Sequence, residues 1–262
     1  MESDDQTVLV EHVDGVAVIS FNRPERHNAL NDAMSARWRT VVRASIADPE
    51  VRCLLLRGEG RSFSSGRDVA QLGGRPGGES DLSFVRRHQD IRLDVLDSPK
   101  PVVAAVKGYV FGGAFEIALS ADMRLCATDA TFAFPEIHYG LVADTGGTQM
   151  LTPLIGPSKA KYLHFTGDRI DAATALAWGA VDWLVEPDEL DARSLALATK
   201  LALAPPNALQ VAKQLVDQSW AGAIRNGMRQ ELLAQVSLFA GDEHAQTKAA
   251  AVERLAAAKH KA

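Results

Sequence analysis

Only two cysteines occur in 262 residues, and both lie inside apolar runs, Cys53 in "VRCLLLRG" and Cys126 in "MRLCAT". That excludes a disulfide-stapled framework and reads as two buried free thiols in a reducing compartment. An excess of basic residues is also absent, since the formal net charge is −5. The balance therefore gives no footprint for nucleic acid or an acidic membrane surface. The opening segment "MESDDQTVLV" carries acids where a secretory signal needs basic residues followed by an apolar stretch. No window approaches the roughly 18 uninterrupted apolar residues of a membrane-spanning helix. The expectation is a soluble, cytoplasmic protein. Also missing are a G-x-G-x-x-G dinucleotide fingerprint, a G-x-S-x-G elbow and any His/Cys/acid cluster at zinc-like spacing.

What remains is ordinary globular composition, 47% hydrophobic and 23% charged, in a chain long enough for one sizeable core plus an appended unit. Two β-rich runs flank Asp14-Gly15, a strong hairpin signal. The segment "NDAMSARWRTVVRASIAD" supplies a capping Asn or Asp and apolar spacing near 3.6, so it predicts a helix to about Ala47. "CLLLRG", "PVVAAVKG" and "MRLCAT" read as short buried strands, with helices over "DLSFVRRHQDIRLDVLD" and "GGAFEIALSA". This alternation predicts an α/β fold with mostly parallel strands. After about Val185 the strands give way to four successive helical patterns, punctuated by Pro205-Pro206. Residues 1–195 are therefore assigned to an α/β core and 196–262 to a helical region.

Three stretches have the composition of a reactive site. In "RSFSSGRDV", residues 61–69, a small-residue turn would leave backbone N–H groups pointing outward, as an anion or developing oxyanion requires; an ordinary capping turn fits as well. In residues 107–125, Gly112-Gly113 open an apolar helix, and Gly113 N–H would be a second donor. Glu116 falls in the first helical turn, where the dipole favours an acid and a structural capping role is the plain alternative. The third stretch, "PEIHYGLVADTGGTQ", places Glu136 and Asp144 among apolar and glycine positions. Each acid there must be paired, solvated or used. For Asp144 the plain reading is the N-cap of a helix starting near Gly146, and for His138 a half-buried surface position.

Taken together, "NRPERHNAL", "FSSGRDV", "GGAFEIALSADMRL", "FAFPEIHYGLVADTGGTQ" and "GDRIDAATALAWGAVDWLV" occur in an order and spacing that closely resemble the crotonase, or enoyl-CoA hydratase/isomerase, superfamily, over residues 8–220. The resemblance implies a crotonase-like spiral of β-β-α turns followed by a helical trimerisation region, assembled as a homotrimer or a dimer of trimers. It implies an acyl-CoA thioester substrate, with no cofactor other than the CoA of that substrate. By position, Arg67 and Gly113 would supply the backbone donors of an oxyanion hole, with Asp68 beside them in the thioester-binding turn. Glu116 and Glu136 fall on the pair of glutamates used by hydratases, twenty residues apart as in that pair.

Such a pair suits water addition, because one acid can serve as base for the water and the other as acid for the α-carbon. The leading expectation is an enoyl-CoA hydratase acting on 2-trans-enoyl-CoA. Asp144 departs from the small residue usual in hydratases and resembles the isomerase members, which set an aspartate eight residues after a glutamate, the spacing of Glu136 and Asp144. An enoyl- or dienoyl-CoA double-bond isomerase using Glu136 and Asp144 is therefore the alternative. A non-catalytic acyl-CoA-binding protein is the alternative of another class. Arg67 also replaces a small residue, and its side chain would reach CoA phosphates or narrow the mouth of the site. The Gly/Pro-rich loop at residues 71–80 is expected to cover the acyl pocket.

Overall fold

Asp14 and Gly15 both hold positive φ, +49° and +78°, the pairing a two-residue hairpin turn needs. They join β1 (Val8–Val13) to β2 (Val16–Phe21) in antiparallel register, Val13 opposite Val16. A computed structural model of the chain describes residues 6–219 and 221–259. In order there follow α1 (Asp32–Ala47), β3 (Cys53–Gly58), α2 (Asp81–Leu96), β4 (Val102–Val106), β5 (Tyr109–Phe111), α3 (Gly113–Ser120), β6 (Met123–Ala127) and β7 (Thr131–Ala133). Then come α4 (Gly147–Ile155), α5 (Pro157–Thr166), β8 (Ile170–Asp171), α6 (Ala172–Trp178), β9 (Trp183–Val185), α7 (Leu190–Ala202), α8 (Pro206–Gln218), α9 (Ala221–Phe239) and α10 (Asp242–Lys259).

The main sheet has the order β1-β2-β3-β4-β6-β9 and is parallel from β2 onward; the second sheet is β5-β7-β8. Each turn of the chain thus sends one strand to the large sheet and the next to the small one, β4 then β5, β6 then β7, before a helix closes the turn. This is the expected β-β-α spiral.

Period-two alternation divides the strand residues between two buried layers. Ile19, Leu54, Leu56, Ala104 and Val106 face a core shared with α1 and α3, including Trp38, Phe115 and Ile117. Val18, Leu55, Val103 and Ala105 face the other way, onto Leu190, Ala198 and Ala202 of α7. Burying a side chain such as Trp38 or Leu56 contributes about 1.5–3 kcal/mol, so these layers dominate cohesion. Caps add smaller terms: Asn31 accepts the Met34 N–H at 2.7 Å and Ser80 the Ser83 N–H at 3.2 Å. Cys53 and Cys126 are free and buried, and burial pushes both thiols up to about 12.

A division at residue 195 falls in the middle of α7, because that helix covers one face of the sheet and belongs to the core. Among the described residues no helix is long and apolar enough to cross a membrane.

Candidate active site

The loop after β3 is drawn against β5. Ser64 N–H donates to Tyr109 O at 2.9 Å and Phe111 N–H to Ser64 O at 3.2 Å, extending the small sheet by one bridge. Gly66, at φ +82°, then passes so close to β5 that a Cβ there would overlap the Phe111 carbonyl oxygen. This contact sets Arg67 beside the Gly112-Gly113 turn. Neither Arg67 N–H nor Gly113 N–H donates a hydrogen bond among the described residues, and both residues line one cavity. The structure brings together the two donor positions expected from sequence.

Gly112 adopts φ +52°, ψ −126°, which an L side chain rarely enters, and a Cβ there would overlap Glu136 Oε1. The Glu136 carboxyl therefore lies directly against the Gly112 Cα. It is carried on a 3₁₀ turn, Pro135–Tyr139, that follows β7. Its Oε2 is buried with no hydrogen-bond partner among the described residues. Burial first, then the charge of Glu116, raises its pKa well above the ordinary carboxylate range. The shift favours the protonated form of Glu136.

Glu116 reaches the same turn from the other side. It makes no capping bond to its own helix, whose N-cap is Gly112; instead it caps α4. Its Oε1 accepts the N–H groups of Thr145 and Gly147, each at 2.9 Å, and its Oε2 accepts the Thr145 hydroxyl. Both oxygens are acceptors, the arrangement that suits a carboxylate at a helix N-terminus.

Asp144 is not the N-cap of α4. Gly146 holds that position with φ +106° and no side-chain bond, and the exposed N–H groups are taken by Glu116 and by Glu231 from α9. Glu231 Oε2 accepts Gly146 N–H at 2.7 Å, and its Oε1 accepts the Thr148 hydroxyl at 2.6 Å. Asp144 instead lines the cavity, facing Arg92 and Gln235. Burial and the Glu116 charge raise its pKa to about 7, against the pull of Arg92. Burial and Glu116 likewise raise Glu231 to about 8.

Asp68 does not line the cavity. It accepts Arg23 Nη1 at 3.3 Å and caps the short turn that follows it through Ala70 N–H, so its pairing is structural. The Arg67 guanidinium turns along α1 and α2, donating to Asp32 Oδ1 at 2.8 Å and lying 5.3 Å over the Phe84 ring. Arg67 is among the residues that line the cavity. His138 is exposed and outside the cavity. Of the loop at residues 71–80, Leu72 and Gly73 reach the lining.

Sequence reasoning missed a polar ridge on α2. Gln89 Nε2 donates to Asp144 O at 2.7 Å and Met228 O at 2.6 Å, and Arg92 Nη2 to Gly113 O at 3.0 Å. The available signal was Phe84, His88 and Arg92 at i, i+4, i+8, which share one helix face. Gln235 of α9 was also missed; its Oε1 accepts Val142 N–H at 3.2 Å.

Residues 11–259 match the model of the enoyl-CoA hydratase/isomerase family. The chain belongs to that family. Among relatives of this enoyl-CoA hydratase/isomerase family member, a probable enoyl-CoA hydratase of Rhizobium meliloti (strain 1021) is 34% identical, covering 98% of this chain and 99% of that protein. A short-chain-enoyl-CoA hydratase of Clostridium acetobutylicum is also 34% identical, over 94% of this chain and 95% of that one. The crystal structure of an enoyl-CoA hydratase/isomerase from Xanthobacter autotrophicus Py2 superposes with a TM-score of 0.87 at 32% identity, covering 97% of this chain and 96% of the other.

Proposed function

We propose that this enzyme adds water across the double bond of 2-trans-enoyl-CoA thioesters to give 3-hydroxyacyl-CoA. One observation carries the reading: Glu116 and Glu136 flank the Gly112-Gly113 turn, one anchored as an acceptor and the other buried with its pKa raised, beside two N–H donors that have no partner among the described residues.

The thioester oxygen sits on Arg67 N–H and Gly113 N–H. Two fixed donors let enolate charge develop there at low cost, and removal of one such donor in other enzymes costs about 2.7–4 kcal/mol. Glu116 takes a proton from water as its oxygen bonds to the β-carbon. Glu136 gives its proton to the α-carbon as the enolate collapses back to the thioester. Water is consumed, both added hydrogens are accounted for, and exchange of one proton between the two acids and solvent restores the site. The chemistry uses no cofactor beyond the CoA of the substrate.

A second reading rests on Asp144. A cavity-facing carboxyl with a pKa near 7 can accept and return a proton at neutral pH, which suits double-bond migration with Glu136 at the other end of the conjugated system. A binding-only role leaves these buried acids without a use.

Crotonyl-CoA tests the leading reading. Loss of enoyl absorbance that disappears in Glu136→Gln supports it, and inertness toward crotonyl-CoA with turnover of a 3,5-dienoyl-CoA sinks it. The exposed apolar residues Leu203, Val211, Leu215 and Val216, on and after α7 and along α8, support self-association as the expected trimer or dimer of trimers. A cytoplasmic location is part of the same proposal, supported by two buried cysteines that form no disulfide.

A further inference from the structure

Arg92 of α2 is only 5% exposed. Its Nη2 donates to Gly113 O at 3.0 Å, the only hydrogen bond the guanidinium makes among the described residues. No ion pair among the described residues includes it, and the charges of Glu116 and Asp144 act on it from beyond contact distance. Taking a cation out of water is costly, and a bond to one neutral carbonyl recovers only part of that cost. Packing alone would be served by an apolar side chain of the same volume. The charge therefore has its explanation in the site beside it.

That site is the donor end of α3. Gly113 is the first residue of the helix, and its N-cap, Gly112, has no side chain to hold the turn. A Cβ on Gly113 would lie 3.2 Å from Arg92 Nη2 and 3.8 Å from Glu116 Oε2, so cation and carboxylate reach the same glycine. With standard bond lengths the Gly113 nitrogen is within about 6 Å of Nη2. Arg92 and Gly113 both line the cavity. One turn earlier on α2, Gln89 donates to the Asp144 carbonyl at 2.7 Å, so a single helix face holds both the glycine turn and the acid-bearing loop. An enolate on the Gly113 N–H has a full positive charge close to its donor, in surroundings that screen it far less than water does. A neutral thioester gains much less from that charge, so the difference favours the reacting form.

We infer that Arg92 is a positioning residue of the oxyanion hole: it holds the first turn of α3 through the Gly113 carbonyl and sets a cation close to the Gly113 N–H, favouring the enolate over the neutral thioester. This rests on the reading of the Arg67 and Gly113 N–H groups as the donors to the thioester oxygen.

Acetoacetyl-CoA tests it, because this 1,3-dicarbonyl ester ionises to an enolate with its own near-ultraviolet absorbance. Following that band on the enzyme across pH gives the enolisation constant of the bound ester, and calorimetric titration of butyryl-CoA gives the affinity for a neutral thioester. Arg92→Met removes the charge and the donor at similar volume. The expected result is an enolisation constant lower by about tenfold or more, with butyryl-CoA affinity changed by less than about threefold. Arg92→Lys, which keeps a cation, should recover at least about threefold of the enolisation loss. A merely structural role would weaken both esters alike and gain nothing specific from lysine. A smaller enolisation loss in Arg92→Met, a larger change in butyryl-CoA affinity, or a weaker recovery in Arg92→Lys overturns the inference. Should Arg92→Met fail to fold, Arg92→Gln removes the same charge and carries the same expectations. Wild-type protein that binds butyryl-CoA but ionises acetoacetyl-CoA no more than water does overturns the oxyanion-hole reading as well; wild-type ionisation matched by Arg92→Met overturns the role of Arg92 alone.

Discussion

Glu116 of α3 accepts the N–H of Gly147, the first residue of α4, at 2.9 Å, so one carboxylate both closes a helix end and faces the cavity. This double use predicts two losses from a single change. Glu116→Gln can keep an amide oxygen on the Thr145 and Gly147 N–H groups but removes the charge they point at and the oxygen that accepts the Thr145 hydroxyl. We expect kcat for enoyl-CoA hydration to fall about 10²–10⁴-fold. Thermal unfolding should register the weakened, uncharged cap as about 0.5–1.5 kcal/mol of stability. Hydration rates within threefold of wild type would remove Glu116 from the mechanism.

Gly112→Ala tests the turn itself. The added methyl meets Glu136 Oε1 in a backbone conformation at φ +52°. Carboxyl and turn cannot both keep their places. The expected outcome is a kcat/KM loss of about 10²-fold or more, from misplacement of the Glu136 proton and the Gly113 donor together. Steady-state kinetics on a variant with wild-type circular dichroism provides the check.

Glu231 belongs to α9, 85 positions along the chain from the Gly146 N–H it accepts. Glu231→Ala leaves the N–H groups of Gly146 and Thr148 and the Thr148 hydroxyl without their acceptor. We expect a destabilisation of about 1–3 kcal/mol in urea unfolding. The hydration rate should also drop, since Glu116 is anchored on the same helix end. An unchanged urea midpoint would show that this clamp carries no stability.

Stability should fall as pH rises above neutrality. Asp144 at about 7, Glu231 at about 8 and Glu136, raised well above its usual range, keep protons that the unfolded chain releases near pH 4. The folded state therefore binds more protons across that window, and it loses stability until pH has passed through the folded values. His88 and His164, lowered by burial to about 3 and about 4, act oppositely, but only until pH has passed through the unfolded histidine value near 6.5. The unfolded histidines finish losing their protons by about pH 7.5, beyond which the carboxyls dominate, so the urea midpoint should be lower at about pH 8.5 than at about pH 7.5. Glu231→Gln should flatten that decline. A midpoint that climbs over the same range contradicts the buried-acid description.

The parts of the site legible in sequence are those written locally. Asp14-Gly15 specified a hairpin because few residue pairs accept two positive φ angles, and Gly112, at positive φ against the Glu136 carboxyl, marked a close approach. Glu136 and Asp144 stood out as acids among apolar and glycine positions, and Glu116 as an acid in the first turn of a helix. The partners of those acids were not legible. Gln89 meets Asp144 across 55 positions and Glu231 meets Gly146 across 85, and on an isolated helix a Gln or Glu reads as a solvent-facing residue. The same blindness made Asp144 look like a cap, since nothing local says that Glu116 and Glu231 already occupy the α4 N–H groups. β8 is two residues long and β9 three, too short for any period to show. The helical pattern from residue 190 was read correctly as helix, but only the apolar contacts of Ala198 and Ala202 with the sheet reveal that α7 belongs to the core.

The central claim is that Glu116 and Glu136 add water while Asp144 is dispensable for that step. The most direct measurement is kcat/KM for crotonyl-CoA hydration in Glu116→Gln, Glu136→Gln and Asp144→Asn, with a 3,5-dienoyl-CoA run in parallel. The account predicts losses of about 10²-fold or more in both glutamine variants and less than about tenfold in Asp144→Asn. Activity confined to the dienoyl ester and lost in Asp144→Asn would contradict it.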